Sequence, residues 1–276
     1  MGGFLNVERR GAVVHLTFDD PRRRNALGPA FWDGMAPLFG SFDADPDVRC
    51  VVVSGAGAAF TSGLDLVAMG GQLPIDPGPA APDGARQQQL HAMIRRMQGA
   101  VTCVERCRVP VIAAIHGYCL GGGVDLATAC DIRWCAADAV FGIRETRLAM
   151  VADVGTLQRL PAIVGPGRAR ELVFTGRDFG AEEALRIGLV DRVLPDHAAL
   201  LEAALGLAET IAANPPLAVQ GAKRVLIEAE RARIDASLEY VATWNAAHLR
   251  SRDLATAITA AATRRSDPSG PTFEGR

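Results

Sequence analysis

Residues 111–160 read VIAAIHGYCLGGGVDLATACDIRWCAADAVFGIRETRLAMVADVGTLQRL, and most of the fold is implied by this one stretch. It opens on a short apolar run, 111–116, of a length that suits a buried strand. Gly121, Gly122 and Gly123 then open a helix expected to run to about Ala129. Residues 132–135 and 140–143 resemble two further short strands. Strands alternating with helices argue for an α/β core. Three carboxylates, Asp125, Glu145 and Asp153, lie in the same stretch, in surroundings that are otherwise apolar and glycine-rich. Acidic side chains are seldom buried unless paired or put to use. Three of them beside a glycine triplet suggest a site that moves protons next to a stabilised anion.

Working outward, residues 13–18 alternate as a strand does and stop at the turn signal Asp19-Asp20-Pro21. Residues 30–42 place Phe31, Met35, Leu38, Phe39 and Phe42 on one helical face, with Pro37 as an interruption. Residues 50–54 form a short apolar run stopped by Gly55-Ala56-Gly57, which reads as a buried strand. Residues 60–65 read as a loop entering a helix. The Pro- and Gly-rich stretch 70–84 reads as a surface excursion, followed by a helix from about Ala85 to Cys107. Residues 189–194 resemble another strand. From about Ala198 the chain reads as helices, punctuated by Asn214-Pro215-Pro216 and fading into a polar tail, 266–276. The division expected is a core with the active site, 1–197, and a helical C-terminal region, 198–276.

The bulk composition narrows the functional classes. The chain has 276 residues, 49% hydrophobic and 22% charged, in the range of a globular protein that buries a sizeable core. A formal charge of −2 gives no field that would favour nucleic acid. There is a single lysine, Lys223, among 29 basic residues. The six cysteines form no C-x-x-C pair. Cys103 and Cys107, one helical turn apart, would be the only candidates for a metal clip; buried reduced thiols are the preferred reading. The five histidines form no H-E-x-x-H pattern, so no metal site is expected. The first residues lack the apolar run of a signal peptide and the chain ends in FEGR, not a Ser-Lys-Leu address. No run is long enough to span a bilayer. A cytoplasmic protein without a membrane partner is expected.

The motifs each admit two readings. Free N–H groups at a helix start, with no side chains in the way, make an anion site. Gly121-Gly122-Gly123 has neither the spacing of a dinucleotide fingerprint nor that of a P-loop. The anion expected beside acid/base carboxylates is an enolate, so an oxyanion hole is the functional reading and a tight turn the structural one. Asp125 can be an ordinary first-turn acid, Glu145 a salt-bridged one, and Asp153 an N-cap. Gly63 in Phe60-Thr61-Ser62-Gly63-Leu64-Asp65-Leu66 permits a turn that would aim the Leu64 amide inward. Asp65 can complement a helix N-terminus. A Ser–His nucleophile lacks its G-x-S-x-G elbow. Arg22-Arg23-Arg24 is either solvated charge or a contact for ligand phosphates.

Taken together, Arg24-Asn25-Ala26-Leu27, the loop at 60–66, Val104-Glu105-Arg106-Cys107 and the block from Pro110 through Pro161 resemble the crotonase (enoyl-CoA hydratase/isomerase) superfamily over almost the whole chain, and within it the dienoyl-CoA isomerases. The resemblance implies a spiral of ββα turns with a helical C-terminal trimerisation region, assembled as a homotrimer or as a homohexamer of two stacked trimers. It implies an acyl-CoA thioester substrate, coenzyme A being part of the substrate and no separate cofactor being needed. The thioester oxygen would sit between the N–H groups of Leu64 and Gly122. Ser62, Gly63, Asp65 and Leu66 would line the thioester site, and Arg24 and Ala26 would lie near the coenzyme A moiety. Hydratases of the family carry two glutamates at the spacing of Asp125 and Glu145; the aspartate at 153 belongs to the isomerase set.

The reaction implied converts a 3,5-dienoyl thioester to the 2,4-dienoyl form, with Asp153 taking a proton from C2, Glu145 giving one to C6, and Asp125 tuning the pair. The order of the two could be reversed. The alternative enzyme is a 2-enoyl-CoA hydratase, with Asp125 and Glu145 flanking a water. An idle scaffold or an RNA-binding relative is disfavoured by the retained acids and the near-neutral charge.

Overall fold

The computed structural model describes residues 3–70, 84–263 and 273. The chain opens on a hairpin, β1 (Leu5–Arg10) and β2 (Val13–Phe18), followed by α1 (Pro29–Ala44). A motif then recurs three times: a strand in one sheet, a sharp corner, a strand in a second sheet, and a helix. The first turn is β3 (Cys50–Gly55), β4 (Ala59–Thr61) and α2 (Gly84–Arg106). The second is β5 (Val111–Ile115), β6 (Tyr118–Leu120) and α3 (Gly122–Ala129). The third is β7 (Ile132–Ala136), β8 (Val140–Gly142) and, after a 3₁₀ turn at Glu145–Leu148, α4 (Thr156–Val164). The chain continues through α5 (Pro166–Thr175), β9 (Asp178–Gly180), α6 (Ala181–Arg186), β10 (Arg192–Leu194), α7 (His197–Ala213), α8 (Pro216–His248) and α9 (Arg252–Thr263). The result is an α/β spiral of ββα units.

The larger sheet has the order β1-β2-β3-β5-β7-β10 and is parallel beyond the first hairpin. The smaller has the order β4-β6-β8-β9. Every residue of β3 and β5 is buried, as expected of parallel strands covered on both faces. Their alternation divides the core. Cys50, Val52, Ile112 and Ala114 pack with Leu200, Ala204 and Ala208 of α7. Val51, Val53, Val111, Ala113 and Ile115 face the opposite way, into the main core with Phe31, Phe39 and Phe60. The corners need close backbone approach. At Gly117 (φ +52°), between β5 and β6, an added Cβ would lie 2.1 Å from the Ala58 carbonyl oxygen. His116 ties the same corner down, donating from Nε2 to the Gly57 carbonyl (2.9 Å) and stacking on His197.

The expected elements are present, with local differences. The helix expected at 30–42 continues through Pro37, which faces solvent, where a missing backbone bond is offset by water. The strand expected at 189–194 is only three residues long. The helix expected after residue 65 is a single turn closed by Met69 N–H to the Asp65 carbonyl (2.9 Å). Most of the 70–84 excursion, and all of the 266–276 tail except Phe273, lie outside the described residues. The cysteines are all free, and burial raises the Cys103 and Cys107 thiols to about 12. Among the described residues no helix is long and apolar enough to cross a membrane. The lone lysine is buried: Lys223 of α8 reaches Asp131 (2.7 Å) and the Val109 carbonyl (2.9 Å), pinning α8 to the core.

Candidate active site

The site begins where β6 turns into α3. Gly121 adopts φ +51°, and its N–H is taken by the Gly142 carbonyl (2.8 Å). The next amide, Gly122, occupies the first helical position, where no intrahelical acceptor exists. Every residue of α3 is buried, so this end of the helix has little access to bulk water. The loop of residues 62–64 lies against it. Leu27 donates to the Gly63 carbonyl (2.8 Å) and accepts from the Asp65 N–H (3.1 Å). That pairing turns the Leu64 N–H away from Leu27. Gly63 (φ +85°) makes the approach possible: a Cβ there would lie 2.6 Å from the Leu120 carbonyl oxygen and 3.6 Å from the Gly122 nitrogen.

Three different elements bring in the acids. Asp125 sits in the first turn of α3 and is 1% exposed; its Oδ1 accepts from the Thr156 N–H at 2.5 Å, and its Oδ2 has no partner. Glu145 opens the 3₁₀ turn after β8, and its Oε1 comes within 3.2 Å of where a Cβ on Gly121 would be. Its Oε2 is buried without a partner. Asp153 lies on the loop before α4, and its Oδ2 accepts from Asn245 Nδ2 (2.7 Å). Gln98 of α2 fixes the same loop through the Asp153 carbonyl (2.7 Å). All three acids, together with Leu64 and Gly122, line one cavity of about 640 Å³. The remaining wall is largely apolar, with Trp32, Met93, Met97, Leu148 and Leu249 among its residues.

Burial is the first cause of the electrostatics here. It raises Asp125 to about 6, partly offset by the Thr156 N–H hydrogen bond and the nearby Arg159 charge. It raises Asp153 to about 7, against the Asn245 hydrogen bond and with the Asp125 charge. Glu145 is raised furthest, to about 8, by burial and by the charges of both aspartates. Like charges in one apolar cavity cannot all ionise, so at neutral pH the set holds at least one proton. The arrangement contains an acid that can donate and a carboxylate that can accept, beside two backbone N–H groups. Among the described residues no group of three or more His, Cys, Asp or Glu side chains is placed so that it could hold a metal ion, these three acids included.

Of the other residues singled out from the sequence, Ser62, Gly63 and Leu66 line the cavity, whereas Arg24, Ala26 and Asp65 do not. The Asp65 carboxylate is occupied by Arg23 (2.8 and 3.0 Å) and by the amides of Val67 and Ala68. Arg24 lies over the Tyr118 ring. Sequence reasoning missed Asn245, Gln98 and Thr156. Two of these had a signal: Asn245 interrupts the apolar stripe Leu238, Val241, Ala242 and Leu249, and Gln98 interrupts Ile94, Met97 and Val101. A polar residue on a buried helical face needs a partner. Thr156 acts through its backbone, which leaves no trace in residue type.

The enoyl-CoA hydratase/isomerase family pattern matches residues 8–265. The chain is 47% identical over 251 residues to a mitochondrial Delta(3,5)-Delta(2,4)-dienoyl-CoA isomerase of Rattus norvegicus, covering 90% of this chain and 76% of the relative. It is 45% identical over 249 residues to a peroxisomal Delta(3,5)-Delta(2,4)-dienoyl-CoA isomerase of Arabidopsis thaliana, covering 90% and 89%. An enoyl-CoA hydratase/isomerase crystal structure from Xanthobacter autotrophicus Py2 superposes with a TM-score of 0.85 at 31% identity, covering 99% of this chain and all of that one. These relatives correct the cytoplasmic location expected above, since those at 45–47% identity carry mitochondrial or peroxisomal names. Compartment addresses are short segments read by receptors and are separate from the shared fold.

Proposed function

The chain belongs to the enoyl-CoA hydratase/isomerase family, and from that premise we propose that it converts a 3,5-dienoyl-CoA thioester into the conjugated 2,4-dienoyl form. The observation that carries this is the third carboxylate: Asp153 shares the cavity with Asp125 and Glu145. Water addition across C2=C3 needs two acids around one water. A proton shift from C2 to C6 needs acceptor and donor at opposite ends of a diene.

Asp153 takes the C2 proton. The electrons move into a dienolate shared between the thioester oxygen and the far carbons. The N–H groups of Leu64 and Gly122 hold the oxygen, a contribution of roughly 3 kcal/mol per good donor. Glu145 delivers a proton to C6, and proton exchange between the acids resets the site. The surroundings support this direction, because Asp153 accepts the Asn245 N–H, which favours its ionised form, whereas Glu145 Oε2 has no partner. Asp125 keeps Glu145 protonated through its own charge. Ser62, Gly63 and Leu66 border the thioester, and Arg24 and Ala26 lie toward the coenzyme A moiety, with Asp65 holding their segment through Arg23. The substrate brings its own coenzyme A, so the chemistry calls on no further cofactor.

The core, 1–197, carries the acids, and the helical region, 198–276, carries self-association into a trimer or hexamer. Exposed Leu217, Val225, Leu226 and Tyr240 on α8 support such contacts. A spectral assay tests the activity. With a 3,5-dienoyl thioester, whose diene is insulated from the carbonyl by C2, the longer-wavelength absorbance of a diene conjugated with the thioester carbonyl should grow. No such growth, together with loss of enoyl absorbance from a 2-enoyl thioester, would replace isomerisation with hydration.

A further inference from the structure

Asp153 receives its side-chain hydrogen bond from a residue ninety-two positions away. Asn245 lies near the end of α8, 2% exposed, on a stripe that is otherwise apolar. Its Nδ2 is 2.9 Å from the Val151 carbonyl oxygen and 2.7 Å from Asp153 Oδ2. The carbonyl can only accept, which fixes the orientation of the amide. One N–H goes to Val151 and the other is left for Asp153. Oδ2 is therefore an acceptor, and a proton arriving on Asp153 has only Oδ1 to occupy.

Apart from its own backbone N–H, which also favours the carboxylate, the groups around Asp153 disfavour its ionised form. Asp125 faces it from α3 and Glu145 from the 3₁₀ turn, both acids. From α2 comes Gln98, which is neutral and spends its N–H groups on the Asp153 and Leu238 carbonyls. The Gln98 Oε1 takes Arg95 (2.7 Å), whose charge is shared with Glu239 of α8 (3.3 Å). Among the described residues, Asn245 supplies the side-chain N–H on the Asp153 carboxylate.

We propose that Asn245 is a positioning residue for the proton transfer: its amide holds Asp153 in one orientation, keeps it an acceptor among the three acids, and directs the C2 proton onto Oδ1. This rests on the assignment of Asp153 as base in the isomerisation proposed above. It also makes α8 part of the chemistry, because the acid lies in the middle of the chain and its donor in the helical region that follows the core.

The test is the pH profile of 2,4-dienoyl thioester formation by Asn245→Leu, compared with wild type and with the double variant Asn245→Leu/Asp153→Asn. The acid limb of kcat/KM should move up by about one pH unit, a tenfold change in the proton equilibrium. At pH 7.5, where the ionised fraction falls from about three quarters to about one quarter, kcat should fall about threefold while KM stays within about twofold. In the double variant the loss should match that of Asp153→Asn alone, since Asn245 acts through Asp153. An acid limb that stays in place, or losses that multiply in the double variant, would overturn the proposal. If Asn245→Leu does not fold, Asn245→Ala is measured in its place and the same limb decides. Wild type that forms no 2,4-dienoyl thioester would overturn the isomerase reading itself; active wild type with an unmoved limb in the variant overturns only the role of Asn245.

Discussion

Asp153→Asn should damage catalysis and relieve the fold at the same time, and pH separates the two effects. Burial, with the Asp125 charge, raises Asp153 from 3.8 to about 7. In the unfolded chain the group ionises near its ordinary value. Between those values the native state binds a proton that the unfolded state does not, so stability falls as pH rises. The penalty is absent below about pH 4 and complete above about pH 7. Three units at 1.36 kcal/mol each amount to on the order of 4 kcal/mol. Asparagine is neutral throughout and escapes that slope, although its buried amide has a fixed desolvation cost of about 1–3 kcal/mol if a hydrogen is left unpaired. The quantity to follow is therefore the difference between variant and wild type as pH changes. By thermal melts at pH 5 and pH 8, that difference should shift in favour of the variant by several degrees. Diene formation should fall by about 10²–10⁴-fold. A melting difference identical at the two pH values would refute the burial argument. Wild-type-like turnover would discard the two-acid scheme.

Other measurements test separate parts of the site. The kcat/KM profile of wild type should be bell-shaped, rising as Asp153 ionises near 7 and falling as Glu145 loses its proton near 8, with both limbs belonging to the coupled set. Gly63→Ala, at φ +85° and with its Cβ 2.6 Å from the Leu120 carbonyl, should displace the Leu64 amide and lower kcat about 10²-fold; an unchanged kcat would remove that amide from the mechanism. Lys223→Met should destabilise the chain by on the order of 3 kcal/mol in urea titration, because it leaves Asp131 without its cation. The native Lys223 amine, 4% exposed, should react with amine reagents only after unfolding.

Much of this protein is visible in the order of its residues. The alternating run at 13–18 and the apolar runs at 50–54 and 111–116 announce strands, because burial on one or both faces leaves a period in the sequence. The glycines at 121–123 mark a place where backbone must stand close to other backbone, and Asp125, Glu145 and Asp153 stand out because charge is conspicuous among apolar neighbours. The missed residues lacked such marks. Thr156 contributes an N–H that every residue but proline has, and Asn245 lies far along the chain from the acid it serves. Pro37 could be judged only once its exposed side was known. Sequence alone determined which segments bury, where the backbone turns tightly, and which chemical groups were at hand, since these follow from local composition and period. Only tertiary structure decided that three acids from three elements face one cavity, how far each is pushed toward holding its proton, and which distant amide attends which carboxylate. Desolvation and mutual repulsion depend on distances through space, and those distances exist only when the spiral has closed.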